Sequence, residues 1–224
     1  MSAGRETPAP AMQPSDEVLI AEFYDGDDNA FTILMNRYNS RLYRFARSIG
    51  LKHADAEDQT QSTFVKVYTG RDKKIAGAAT GWYDATKGVK FKTWLFTIQH
   101  NNCIEFLRHT KVNFEKFDYF DAEDDVDKAI PRANHESDAQ LPDEVLISRV
   151  DQTAVRNALE SLAAKERVVI ELRYYFDDDE DGTRTLNEIA QITGVSTATV
   201  HRLHSSALRN LGILLKKASE EGGQ

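Results

Sequence analysis

Cysteine is nearly absent from this chain, which contains one, Cys103, among its 224 residues. A single thiol excludes an internal disulfide, and its helical, largely apolar context favours a buried structural side chain over a nucleophile or a metal ligand. Long apolar runs are absent as well, so we expect no membrane span or anchor. The first fourteen residues contain three prolines and lack the apolar core of a signal peptide, which predicts a flexible tail at 1–14 of a cytoplasmic protein.

The motifs of catalytic and cofactor sites are also missing. The chain lacks a Gly-rich phosphate loop and a nucleophile beside a base, and its six histidines have no ligand spacing apart from His201 and His204. Those two are better interpreted as side chains that face a partner from the surface of a helix. We therefore expect a protein that is not an enzyme and that needs no cofactor or metal.

Negative charge is concentrated in two segments. Residues 117–144 hold ten acids against two bases, and residues 177–181 are five consecutive acids. The rest of the chain carries 26 Lys and Arg against 21 Asp and Glu, so the net charge of −8 comes from these two segments. Residues 184–217 are locally basic, with five bases against one acid, as binding to phosphates requires.

The longer acidic segment predicts a domain boundary. It contains two prolines and no sustained apolar period, which is typical of an extended linker. We therefore predict an all-α protein with helical domains at 15–112 and 148–219, an acidic flexible linker at 113–147 and a short tail at 220–224. A solvated spacer is the simplest role for the linker. As a tethered polyanion it could also occupy a nucleic-acid channel until DNA or RNA displaces it.

The last third of the chain has the pattern of a DNA-reading helix-turn-helix. Gly194 supplies the turn between two helices because glycine adopts a positive φ easily, and Ser196 caps the second helix. Thr185 and Glu188 form a capping box at the start of the first helix. The predicted buried residues are Leu186, Ile189, Ala190 and Ile192 on the first helix, and Val200, Leu203, Ala207, Leu208 and Leu211 on the second.

The start of the second helix presents polar groups that suit a major groove. Hydroxyl groups, an arginine and histidines on its first two turns can reach base edges and phosphates. The predicted contact residues are Ser196, Thr197, Thr199, His201, Arg202 and Ser205, with Ala198 and His204 on the same outer face. A plain helical hairpin is the alternative interpretation of this segment.

The first half of the chain contains four amphipathic helical patterns. They lie at 16–23, 30–49, 55–68 and 92–108. Three acids in the first turn of the third pattern suit the helix dipole. The predicted core residues of the first three helices are Val18, Leu19, Phe23, Phe31, Leu34, Tyr38, Leu42, Phe45, Ile49, Phe64, Val67 and Tyr68. The opposite face of the third helix presents Asp58, Gln61 and Ser62.

The fourth helix is unusual because it combines bases, aromatic rings and amides. Such a surface can stack unpaired bases and hydrogen-bond to them. Trp94 and Leu95 are nevertheless predicted to belong to the core, together with Ile98, Ile104 and Leu107. The polar groups and nearby ring predicted outside the core are Lys90, Phe91, Lys92, Gln99, Asn101, Asn102 and Arg108.

The order of four segments resembles the bacterial RNA polymerase sigma factors of the extracytoplasmic-function (ECF) type. Residues 26–46 resemble the first conserved helix of that family, and residues 55–68 the helix that grips the polymerase clamp. Residues 91–108 are similar to the segment that melts and reads the −10 promoter element. Residues 162–176, followed by the helix-turn-helix, are similar to the domain that reads the −35 element. The order of the four makes the resemblance specific.

The resemblance implies a factor that lends promoter specificity to core RNA polymerase. Its implied partners are the polymerase β′ clamp and β flap, promoter DNA in double- and single-stranded form, and an anti-sigma factor. The implied polymerase-binding residues are Asp55, Asp58, Gln61 and Ser62. The implied −10 contacts are Lys90, Phe91, Lys92, Asn101, Asn102 and Arg108. The helix that starts at Ser196 matches the −35 reader, and the acidic linker resembles the segment that threads toward the RNA exit path.

Two connections depart from the family pattern. The connection at 69–89 is long and Gly-rich, which leaves the exact −10 loop open, and the connection before the helix-turn-helix is lengthened by DDDEDGTRT.

A third departure lies in the clamp-binding helix. It reads Gln61-Ser62 where the family usually has Gln-Glu, so one carboxylate is missing. A phosphate on Ser62 or Thr63 would restore negative charge, which predicts a phosphorylation switch under a Ser/Thr kinase, as in a kinase-regulated subgroup of the family. The alternative is that Ser62 is an ordinary surface hydroxyl and that the acids at 55, 57 and 58 suffice.

The second lengthened connection suggests a calcium loop. Asp177, Asp179, Asp181 and Glu188 have the spacing of oxygen ligands in an EF-hand. Arg184 occupies a position that is normally apolar, and Glu188 already serves the capping box, so a solvated acidic loop is the simpler interpretation. The alternative to a sigma factor is a stand-alone helix-turn-helix regulator of transcription. A calcium-responsive regulator of this kind is favoured less.

Overall fold

The computed structural model describes residues 14–110, 152–175 and 183–221, and within these ranges the regular structure is entirely helical. The predicted all-α class is confirmed. No helix in these ranges is long and apolar enough to cross a membrane. The predicted linker at 113–147 lies outside the described residues, as do residues 1–13 of the predicted tail.

Four α-helices and one short 3-10 helix form the N-terminal half. Their bounds are α1 Asp16–Tyr24, α2 Asp28–Ser48, α3 His53–Ile75, the 3-10 helix Ala85–Lys87 and α4 Phe91–Thr110. Ser15 caps α1, because its side chain accepts a hydrogen bond from the backbone N–H of Val18. Asp27 caps α2 through the N–H of Asn29, so this helix begins two residues before its predicted start at residue 30.

The core of this half is built around α2. All six apolar residues predicted on this helix are buried, and the ring of Phe45 meets that of Phe96 on α4 edge-on at 5.4 Å. Two other predictions of burial are wrong. Val18 is 46% exposed on the outer side of α1, and Tyr68 is 40% exposed because its ring lies at the surface under the guanidinium of Arg71.

The long connection between α3 and α4 is anchored to the core. Helix α3 runs seven residues beyond its predicted end at residue 68, and the chain then returns past α1. The backbone N–H of Tyr83 donates to the hydroxyl of Tyr24 at 2.8 Å, and the hydroxyl of Tyr83 donates to the carbonyl of Val89 at 2.9 Å. These bonds fix the entry to α4, so the start of the fourth helix is held in place.

The C-terminal half contains four α-helices in its described residues. Their bounds are α5 Gln152–Ser161, α6 Ala164–Tyr174, α7 Leu186–Thr193 and α8 Thr197–Glu221. The predicted cap and turn of the helix-turn-helix are confirmed: Thr185 and Glu188 form a capping box, and Gly194 has a φ of 74°. One predicted core residue is wrong, because Leu208 is 39% exposed on the outer side of α8. Helix α8 also continues past the predicted domain end at residue 219.

The two halves pack against each other through α4 and α7 and through α2 and α6. The guanidinium of Arg167 on α6 donates to the backbone carbonyl of Ser48 at the end of α2, at 2.8 Å. Val168, Val169 and Leu172 of α6 join one apolar cluster with the core of the N-terminal half. In the described residues the two halves therefore pack together, and we call this arrangement closed.

Helix α4 also buries two groups that are titratable elsewhere. Burial raises the pKa of the Cys103 thiol to about 12, so the predicted structural cysteine is confirmed as a buried, protonated thiol. Burial lowers the pKa of His100 to about 4, which keeps its imidazole neutral at neutral pH.

Burial of His100 predicts a loss of stability in mild acid. The unfolded chain binds a proton below its ordinary pKa of about 6.5, whereas the folded chain binds it only near pH 4, so the free energy of unfolding falls as the pH drops between these values. Urea denaturation should show a loss of roughly 3 kcal/mol across this window from His100.

The variant His100→Phe should remove most of this pH dependence. His53→Gln is the matched control, since His53 has a side chain that is 70% exposed. An identical pH profile for His100→Phe and the wild type would contradict the assignment.

Candidate functional site

Helix α3 presents a polar outer face along its first half. Asp58, Gln61 and Ser62 are exposed and lie at positions i, i+3 and i+4, while Asp55 is partly buried one turn earlier. Acids and an amide on one face provide hydrogen-bond acceptors for a basic partner surface. The sequence-predicted polymerase-binding residues are thus brought together on one side of the helix.

Thr63 points to the opposite side of α3 and is completely buried. Its hydroxyl donates to the side-chain oxygen of Gln99 at 2.6 Å and accepts from the side-chain amide of Asn102 at 2.8 Å. The amide of Gln99 also reaches Thr60 and the carbonyl of Leu42. A polar network therefore joins α2, α3 and α4 inside the core.

Four residues of α4 that are predicted outside the core are buried instead: Phe91, Lys92, Gln99 and Asn102. The ring of Phe91 is 1% exposed, because it packs against those of Tyr38, Tyr83 and Trp94 at 5.4 to 6.1 Å. Gln99 and Asn102 are buried since they complete the hydrogen bonds of the α3–α4 interface. The expectation that they face solvent is wrong for this conformation.

The remaining predicted −10 contacts divide into two groups. Asn101 and Arg108 are exposed on the outer side of α4. Lys90 is exposed just before α4, whereas Lys92 in its first turn is only 6% exposed. The accessible members of this predicted set are therefore Lys90 at the N-terminal end and Asn101 and Arg108 in the C-terminal half.

The predicted −35 contacts lie at the start of α8. Those that are exposed are Ser196, Thr197, His201, Arg202 and Ser205. Thr199 is 9% exposed because its hydroxyl is 2.9 Å from that of the capping Ser196, so its predicted exposure is wrong. His204 is partly buried at the surface, because its ring stacks on that of the exposed Tyr174, with centroids 5.9 Å apart and a nitrogen 3.1 Å from the tyrosine hydroxyl.

The predicted calcium loop is only partly visible. Asp177, Asp179 and Asp181 lie outside the described residues. The carboxylate of Glu188 accepts hydrogen bonds from the N–H and the hydroxyl of Thr185, at 2.8 and 2.9 Å. Among the described residues there is no group of three or more His, Cys, Asp or Glu side chains placed to hold a metal ion.

Sequence reasoning missed the role of Arg184. Its side chain is 1% exposed, and its guanidinium lies 4.2 Å from the centre of the Phe96 ring on α4. It also donates to the carbonyl of Leu172 at 3.1 Å. The one signal in the sequence was that Arg184 occupies a position that is normally apolar in the EF-hand pattern.

Comparison with known proteins identifies both halves. The Sigma-70 region 2 family matches residues 34–112, and the Sigma-70 region 4 family matches residues 158–211. Among curated proteins, the ECF RNA polymerase sigma factor SigW of Bacillus subtilis is 28% identical over 188 residues, which cover 83% of this chain and 89% of SigW. The RNA polymerase sigma factor CnrH of Cupriavidus metallidurans is 28% identical over 211 residues, 93% of this chain and 98% of CnrH.

Two solved structures have a similar fold. CnrH in complex with the cytosolic domain of CnrY gives a TM-score of 0.55 at 22% identity, covering 91% of this chain and 99% of that one. The sigma factor RpoE in complex with the anti-sigma factor NepR, from Bartonella quintana, gives a TM-score of 0.50 at 25% identity and covers 83% of this chain and 96% of that one.

These matches decide between the two functions that the sequence suggested. A stand-alone regulator would need only the helix-turn-helix, and it leaves the region 2 match over residues 34–112 unexplained. Both regions occur here in the order and over the length of the ECF relatives. The chain therefore belongs to the ECF-type RNA polymerase sigma factors, which bind RNA polymerase and recognise promoters.

Proposed function

We propose that this sigma factor binds the polymerase clamp with the outer face of α3, captures the −10 strand with α4 and reads the −35 duplex with α8. The single observation that supports this division best is that each helix presents a separate exposed polar face, at residues 58–62, 101–108 and 196–205. Run-off transcription with purified core polymerase over a pool of promoters tests it. A specific transcript that needs this protein is expected.

The clamp contact depends on the acidic character of α3. Asp55 and Asp58 lie in the first two turns of the helix, where carboxylates are also favoured by the helix dipole. Gln61 extends the same face by one turn. The β flap is the proposed second polymerase contact, through the region 4 half.

The −10 contact rests on the exposed part of α4. Asn101 can donate and accept hydrogen bonds with the edge of an unpaired base, and Arg108 can bind a phosphate or stack on a base. The two side chains are seven residues apart, which places them on one side of the helix. Phe91 and Asn102 are buried, so they support this surface from below and shape it.

Promoter opening should therefore depend on Asn101 and Arg108. We expect the double variant Asn101→Ala/Arg108→Ala to assemble with core polymerase but to lose most opening of the −10 region, since single-strand contacts contribute roughly 1–3 kcal/mol per base. Permanganate footprinting of thymines measures the opening. Asn39→Ala, an exposed asparagine on α2, is the control. Thymine reactivity equal to that of the wild type would place the −10 reader elsewhere.

The −35 contact rests on the first two turns of α8. Thr197 donates to the side chain of Asn187 at 2.9 Å, which ties the start of α8 to α7 and fixes its direction. His201 and Arg202 then project from the exposed side. An arginine in this place can bind a guanine edge or a phosphate.

Arg202→Ala should weaken binding to −35 duplex by roughly 1–3 kcal/mol. If the lost contact is a phosphate, the slope of log affinity against log salt concentration should also become shallower by about one. Fluorescence anisotropy over a salt titration measures both quantities. Lys216→Ala, which removes one exposed charge at the far end of α8, should bind normally. Equal affinity and equal salt slope for Arg202→Ala and the wild type would rule out this contact.

The proposed phosphorylation switch is supported better at Ser62 than at Thr63. Ser62 is exposed beside Asp58 and Gln61, whereas the hydroxyl of Thr63 is buried and already bonded to Gln99 and Asn102. A kinase can reach Ser62 on the folded chain, but it would need α3 and α4 to separate before it could reach Thr63. A phosphate on Ser62 would add negative charge to the polymerase-binding face.

A Ser/Thr kinase should therefore raise polymerase capture through Ser62. In pull-downs from cells that contain the kinase, Ser62→Ala should capture core polymerase several-fold less than the wild type, and Ser62→Glu should recover part of the loss. Ser40→Ala, an exposed serine on α2, is the control. Equal capture by the wild type and Ser62→Ala would exclude the switch. A phosphate mapped by mass spectrometry to Thr63 and not to Ser62 would move the switch to Thr63, with opening of the α3–α4 interface as a requirement.

Control by an anti-sigma factor is the alternative form of regulation. The solved structures of similar fold include one, RpoE from Bartonella quintana, that is in complex with an anti-sigma factor. An anti-sigma factor of this chain would bind to region 2 and region 4 and compete with core polymerase, so co-purification from the native cells would reveal it.

A further inference from the structure

We propose that the chain masks its own −10 surface, because Glu188 of region 4 occupies the place of a DNA phosphate beside Lys90 and Lys92, while Arg184 anchors the masked state on Phe96. The inference rests on the proposed −10 role of α4. It adds a second, internal occupant for the same basic end of that helix, one that promoter DNA must displace.

The first observation is an ion pair between the two halves of the chain. The carboxylate of Glu188, at the start of α7, lies 3.8 Å from the ammonium of Lys90. Burial raises the pKa of Glu188, but the hydrogen bonds from Thr185 and the charges of Lys90 and Lys92 outweigh it and hold the pKa below its usual value. A carboxylate that pairs with Lys90 and also feels the charge of Lys92 resembles a phosphate bound at this end of α4.

The second observation is the burial of an arginine at the same interface. Arg184 precedes α7 by two residues and is 1% exposed, with its guanidinium over the ring of Phe96 at 4.2 Å. A guanidinium is costly to remove from water unless its partners compensate for the lost hydration. The contact with Phe96 exists only when α7 lies against α4, because that ring belongs to region 2, whereas the bond to the carbonyl of Leu172 lies within region 4.

The third observation is that the two ends of the proposed −10 surface differ in exposure: at the basic end Lys90 pairs with Glu188 and keeps a side chain that is 52% exposed. Lys92 is 6% exposed, whereas Asn101 and Arg108 remain accessible. A single strand that used the whole of α4 would have to displace Glu188 from the two lysines. Region 4 would then be released from region 2.

The arrangement has a direct consequence for DNA binding. Only open chains can bind an external strand. The apparent affinity is therefore the intrinsic affinity multiplied by the fraction of chains that are open. If about nine in ten chains are closed, complete opening tightens the apparent Kd for a −10 strand about tenfold. The masked state would keep the free sigma factor from holding promoter strands before it joins the polymerase.

Two measurements on the full chain test the proposal. Fluorescence anisotropy reports binding of a single-stranded −10 oligonucleotide, and energy transfer between dyes on Ser40→Cys and Ser219→Cys reports closure without DNA. Both labelled positions are exposed, and the buried Cys103 does not compete for the dyes. Arg184→Ala should lower energy transfer and bind the strand about tenfold more tightly.

A second variant separates masking from local stability, because Arg184 also supports its own half through Leu172. Glu188→Gln removes the charge toward the lysines but keeps the capping box, since glutamine serves that position as well. We expect it to bind the strand about threefold more tightly, as the loss of one partly exposed ion pair allows. Arg156→Ala and Glu160→Gln, at exposed positions of α5, are matched controls and should behave as the wild type.

Wild-type strand affinity in both Arg184→Ala and Glu188→Gln would overturn the proposal, and so would unchanged energy transfer in Arg184→Ala. Lower energy transfer without tighter binding would overturn the masking of DNA. The proposed function fails separately, when the wild-type protein and core polymerase together produce no specific transcript. Tighter strand binding by both variants would support masking even in that case.

Discussion

The hydrogen-bonded contact between α3 and α4 is the constraint on which both proposed binding surfaces of region 2 depend. Thr63, Gln99 and Asn102 satisfy one another inside the core, so the two helices have a fixed rotation about their axes. With Thr63 turned inward, Asp58 and Gln61 must face outward. With Asn102 turned inward, Asn101 must face outward. Buried polar groups here specify orientation, since any other rotation would leave their donors and acceptors unpaired.

Aromatic packing determines where α4 begins and what it carries beneath its surface. Phe91 meets Tyr38 and Tyr83, and the backbone N–H of Phe91 donates to the carboxylate of Glu17 at 3.1 Å. The long connection at 69–89 thus ends in an ordered contact with α1 and α2. The ring of Phe91, which suggests a base-stacking contact in the sequence, instead packs in the core and fixes the start of α4.

The closed arrangement links the two halves by groups that have other roles in an open chain. Glu188 caps α7 within region 4 and also pairs with Lys90 of region 2. Arg167 caps the end of α2 across the interface by binding the carbonyl of Ser48. The interface therefore combines an apolar centre with charged contacts at its edge, a composition that resembles interfaces between domains that can separate.

The sequence by itself determined the helical class, the two domains, the family and the local signals of α7 and α8. These follow from interactions between residues close in the chain: the apolar period of α2, the capping box at Thr185 and the positive φ at Gly194. Only the tertiary structure decided which polar residues are buried. Gln99 and Asn102 look like surface amides, and Arg184 looks like a solvated base, because their partners lie 36 or more residues away, or across the two halves. A periodic pattern shows which side of a helix is apolar, but the partner of a buried polar group is a long-range property of the fold.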